Sequence, residues 1–71
     1  METVTYIAPD ISCEHCRQTI ERTLSAVPGV AAVQVDVPTK RVEVRYDPAV
    51  VGEDRLVFVL DDEGYPVAPV G

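Results

Sequence analysis

Basic charge is scarce in this chain: six Lys and Arg stand against twelve Asp and Glu, for a formal charge of −6. A surface of that sign repels phosphate backbones, which argues against nucleic acid and favours a partner protein with a basic face. No apolar run approaches the roughly 18 residues of a membrane span, and the opening METVTYIAPD has neither the basic start nor the apolar core of a secretory leader. The expectation is a soluble, cytoplasmic chain without membrane insertion. Length is short as well: 71 residues suffice for one small domain, read as 1–71, and leave little room for an elaborate enzyme. Thiol and imidazole are scarce too, with two cysteines and one histidine, all within ISCEHC at Cys13, His15 and Cys16. In a compartment that keeps thiols reduced, such a pair is a functional feature and not a staple. A four-cysteine zinc site is out of reach, because the chain has no second CxxC.

What is present is an ordinary globular composition, 46% hydrophobic and 25% charged, with enough Val and Ile to build a core. Segment 3–8, TVTYIA, is rich in branched and aromatic residues and meets Pro9, which suits a strand entering a loop. From Cys16 the apolar or small positions fall at 16, 20, 23, 24 and 27, a helical stripe that PG at 28 and 29 stops, with Ser12 as its N-cap. VQVDV and VEVRY then alternate, turning Val33, Val35, Val37, Val42, Val44 and Tyr46 inward around a PTK turn at 38–40. The run LVFVL at 56–60 would suit a buried strand on propensity alone. Glu53 and Asp54 ahead of it, Gly64 after it, and one face formed by Leu56, Val59 and Leu60 argue for a helix. YPVAPV at 65–70 is extended, and its two prolines confine it to a sheet edge. The order βαββαβ predicts an α+β fold, a ferredoxin-like sandwich of a four-stranded antiparallel sheet with two helices on one face.

This reading puts Cys13 at the loop-to-helix junction and Cys16 in the first helical turn, so both sulfurs converge above one exposed helix N-terminus. Free N–H groups and the positive dipole end there favour thiolate, the form that binds metal and attacks disulfides. Two soft sulfurs suit Cu(I), whereas Zn(II) generally takes four ligands.

With the CxxC loop after strand one, the Ile20 and Leu24 spacing, GV at 29 and 30, the alternating hairpin and GY at 64 and 65, the whole chain resembles the heavy-metal-associated domain. That family includes small copper chaperones and the metal-binding modules of copper-transporting P-type ATPases. Its usual loop reads Gly-Met-Thr-Cys-x-x-Cys; here Asp10, Ile11 and Ser12 precede Cys13. Ile for Met nearly conserves volume at a position under the loop, and Ser for Thr keeps the hydroxyl. Asp10 adds a carboxylate and removes backbone freedom where the family has Gly. The resemblance implies a non-enzymatic protein that holds Cu(I) between Cys13 and Cys16 and passes it on by thiolate ligand exchange. The recipient would be a metal-transporting P-type ATPase or a metal-sensing protein, and the chain would be a monomer or a metal-bridged dimer. It also maps a tyrosine beside the metal onto Tyr65.

Other readings of the same residues stand beside this one. The cysteines could be two small core hydrophobes, a thiol-disulfide redox pair, or a clamp for Zn(II), Cd(II) or Hg(II) in detoxification. His15 could be a third ligand, a partner contact or a solvated side chain of the first turn. Asp10 could recruit a harder ion, although zinc-type relatives carry the carboxylate directly before the first cysteine, where this chain has Ser12. Tyr65 could act on the thiolates or merely cap the loop.

Overall fold

The computed structural model describes residues 1–70. Its elements follow the expected order: β1 (Glu2–Ile7), α1 (Glu14–Ser25), β2 (Val30–Asp36), β3 (Arg41–Tyr46), α2 (Glu53–Asp62) and β4 (Ala68–Pro69). The strands form one antiparallel sheet in the order β2-β3-β1-β4. Both helices close over one face of it, the ferredoxin-like sandwich read from the sequence.

Alternation decides which face is covered. Along β3, Val42, Val44 and Tyr46 are buried while Arg41, Glu43 and Arg45 are exposed. Opposite them on β1 lie Tyr6, paired with Val42, and Val4, paired with Val44. Ile20 and Leu24 of α1 and Leu56 and Leu60 of α2 are fully buried against that layer. Each such side chain contributes about 1.5–3 kcal/mol by leaving water. The buried tyrosines keep a polar outlet, as their ring chemistry requires: the Tyr6 hydroxyl donates to Glu53 Oε1 and the Tyr46 hydroxyl to Glu2 Oε2, each at 3.3 Å.

The run at 56–60 is helical, as its acidic start and terminal glycine indicated. Other boundaries need correction. β1 begins and ends one residue earlier than segment 3–8. β2 begins at Val30, because a bulge at Ala31 restores the register so that Val30 pairs with Tyr46 on the core face. Val33 and Val37 pack half-buried against the core, as the alternation indicated, although Val37 already lies in the turn after β2. Ser12 does not cap α1: Cys13 holds the N-cap position in extended conformation (φ −156°, ψ 173°), with no side-chain capping bond. Of YPVAPV only Ala68 and Pro69 pair with β1, at the sheet edge where Pro69's missing N–H breaks no ladder.

Candidate metal centre

Three connections meet at one end of the sheet. The first leaves β1 through a turn at 8–11, closed by the Ile11 N–H donating to the Ala8 carbonyl at 3.1 Å, with Pro9 preset for the bend. Ile11 is fully buried under the loop. This anchors the backbone where the chain turns out to Ser12 and Cys13, both exposed. α1 then begins at Glu14, and Cys16, in its first turn, comes back toward Cys13. The sulfurs lie 3.6 Å apart, far beyond a disulfide bond of about 2.05 Å, and both cysteines are free.

The second connection delivers Tyr65. α2 ends in a Schellman motif: the Gly64 N–H donates to the Asp61 carbonyl at 3.0 Å and the Tyr65 N–H to the Leu60 carbonyl at 2.9 Å. Gly64 takes the left-handed conformation this requires, φ 90°. The reversal aims the half-buried Tyr65 at Cys16. Its hydroxyl is the largest of the influences that bring the Cys16 thiol down from an ordinary 9.0 to about 6; donation from the Ser12 backbone comes next, then smaller contributions from Cys13. In return the Cys16 sulfur raises the Tyr65 hydroxyl's own pKa, and Thr19 lies close enough to oppose that. Thr19 is itself fixed by donating to the His15 carbonyl at 3.0 Å.

The third connection is the β2–β3 hairpin, whose tip residue Lys40 donates from Nζ to the Ile11 carbonyl at 2.5 Å. Sequence pattern placed Lys40 in a turn and gave no sign of this contact.

The other residues singled out do not converge. Asp10 is exposed in the turn at 8–11, and His15 is exposed on the first turn of α1. No group of three or more His, Cys, Asp or Glu residues is placed to hold a metal ion among the described residues. Glu14 bonds Arg17, which also bonds Glu21 at 2.7 Å along α1. The site is an exposed two-sulfur clamp with one thiol acidified. At metal–thiolate lengths of about 2.3 Å, sulfurs 3.6 Å apart would take an ion only in a bent arrangement, and a linear one would need an opening of about 1 Å. Neither sulfur is sealed in the core, so the pair is open to a third thiolate.

The profile of the heavy-metal-associated domain matches residues 5–66, spanning all three connections. The chain belongs to this family. The copper chaperone CopZ of Bacillus subtilis (strain 168) is 32% identical over 68 residues, 96% of this chain and 99% of that protein. The mercuric transport protein periplasmic component of Serratia marcescens is 34% identical over 65 residues, 92% of this chain and 71% of that protein. Among solved structures, oxidized MerP from Ralstonia metallidurans CH34 superposes with a TM-score of 0.94 at 31% identity, covering 99% of this chain and 97% of that one. Family membership thus joins this domain to both copper-carrying and mercury-carrying relatives. No helix among the described residues is long and apolar enough to cross a membrane.

Proposed function

We propose that this domain carries a soft metal ion, Cu(I), between Cys13 and Cys16 and hands it to cysteines of a partner protein by thiolate exchange, without turnover of a substrate. The observation that carries the reading is the exposed pair of sulfurs 3.6 Å apart, one of them thiolate-prone at neutral pH. Two thiolates satisfy a soft monovalent ion, and low coordination leaves it open to attack by an incoming sulfur. A third sulfur joins, one of the original two departs, and the ion moves without entering water. The recipient on this reading is the metal-binding module of a P-type ATPase or a metal sensor in the cytoplasm, and the acidic surface favours one with basic groups around its own cysteines.

Anaerobic titration of the reduced protein with Cu(I) against a competing chelator tests the proposal. Tight one-to-one binding, lost in Cys13→Ser and in Cys16→Ser, is the expected result; micromolar or weaker binding by the wild type would sink it.

A second reading, Hg(II) capture, draws on the likeness to mercuric transport proteins and uses the same sulfurs. The same chelator-buffered titration run with Hg(II) beside Cu(I) separates the two: tight Hg(II) binding with micromolar or weaker Cu(I) binding would decide for mercury.

A further inference from the structure

Lys40 is the one residue other than glycine with a left-handed backbone among the described residues, φ 59°. In that region Cβ crowds the following carbonyl, and a hairpin tip accepts glycine there more readily. The lysine is held at both ends. Its carbonyl accepts the Ala8 N–H at 2.8 Å, and its ammonium donates to the Ile11 carbonyl at 2.5 Å. Ala8 and Ile11 are the first and last residues of the turn that carries β1 into the cysteine loop. A single side chain and its own backbone therefore bracket that turn, from a position 29 residues away in sequence.

The Ile11 carbonyl and the Ser12 N–H belong to one peptide unit. Because that unit is planar and trans, they point in opposite directions. An ammonium fixed on the oxygen sets the plane of the unit and polarises the N–H on its far side, as successive hydrogen bonds do. Ser12 leads directly into Cys13, whose sulfur lies 3.6 Å from that of Cys16. We propose that Lys40 is a positioning residue for metal binding: by clamping the Ile11 carbonyl it sets the peptide unit that leads into Cys13 and holds the cysteine loop in its two-sulfur geometry. This role rests on the metal-carrying reading given above. It also accounts for a strained lysine where glycine would serve the hairpin, because glycine could not reach Ile11.

The test compares the wild type with Lys40→Met, Lys40→Gly and Lys40→Arg, each as the reduced 71-residue chain. Three quantities are read: Cu(I) affinity against a chelator, hydrogen exchange of the Ser12 amide before metal is added, and the urea midpoint. Loss of an outer hydrogen-bond partner typically weakens metal binding by about tenfold or more. That loss is expected in Lys40→Met and Lys40→Gly, with faster Ser12 exchange, and Lys40→Arg restores both. Lys40→Gly relieves the left-handed strain, so it keeps its urea midpoint while still losing affinity, an outcome that a merely structural role cannot produce. Unchanged affinity and unchanged Ser12 exchange in Lys40→Met and Lys40→Gly, or affinity that falls only in step with the urea midpoint, would overturn the proposal. If the wild type fails to bind Cu(I) tightly, the metal reading fails by itself, and Ser12 exchange still decides whether the clamp exists.

Discussion

Cys16 gives up its proton more readily than a free cysteine because donors already surround its sulfur, the Tyr65 hydroxyl foremost and the Ser12 backbone after it. Removing the foremost donor must move the thiol back up from about 6 toward 9.0. Tyr65→Phe keeps the ring that caps the loop and deletes only the hydroxyl, so the pH midpoint of alkylation by iodoacetamide, followed by mass spectrometry, is expected to rise at Cys16. An unmoved midpoint would reduce Tyr65 to an apolar cap. The cysteines themselves were legible because their relation is local: three residues apart across a loop-to-helix junction, they must face one another. Tyr65 was legible only through resemblance to a family. Lys40 was not legible at all, since its contact with Ile11 joins positions that only the assembled sheet brings together, and Ser12, which sequence pattern suggested as a cap, leaves that position to Cys13.

Elements were legible where a single period ran through them. The alternation in β3 and the stripes of α1 and α2 each fixed a core face, and the acidic start and glycine stop of α2 settled an apolar run that propensity alone would have made a strand. Periodicity failed where the backbone departs from it. The bulge at Ala31 hid the start of β2, and the prolines left β4 two residues long. Two glycines at element ends give contrasting predictions. Gly29 closes the turn after α1 at φ 96°, and a Cβ there would lie 2.8 Å from Val51 Cγ1 and 2.9 Å from Val50. Strain and overpacking add, so Gly29→Ala is expected to cost about 3 kcal/mol in urea unfolding. Gly64 is also left-handed, at φ 90°, but a Cβ there meets nothing within 4 Å. Gly64→Ala is expected to cost only about 1 kcal/mol. Because Gly64 is the residue that turns Tyr65 toward Cys16, the same variant should raise the Cys16 alkylation midpoint. A stability loss in Gly64→Ala as large as that in Gly29→Ala would contradict this account of the α2 terminus.

For the molecule as a whole, the acidified thiol links protonation to folding. The folded Cys16 value of about 6 lies below the ordinary 9.0, so between those limits the unfolded chain binds more protons than the native one. Stability of the reduced protein should therefore rise from pH 6 to pH 9 and be lost as pH falls back through 6, a slope that Cys16→Ser removes from urea unfolding measured across that range. The buried Tyr6 hydroxyl, whose pKa is raised by burial and by Glu53 from an ordinary 10.0, does not titrate in that window. Metal acts on the same equilibrium. A ligand held only by the native state at a thousand times its Kd would add about 4 kcal/mol. CxxC, however, is a local motif that persists in the unfolded chain, and any binding there subtracts from the gain. The net stabilisation by buffered Cu(I) consequently reports what the fold adds to two bare cysteines: the Tyr65 hydroxyl and the cysteine loop set by the Lys40 clamp. Urea melts in chelator-buffered Cu(I) are expected to show a clear gain for the wild type, less for Tyr65→Phe and Lys40→Met, and none for Cys13→Ser. An equal gain in the wild type, Tyr65→Phe and Lys40→Met would mean that the sulfurs alone hold the ion and the surrounding architecture serves only to display them.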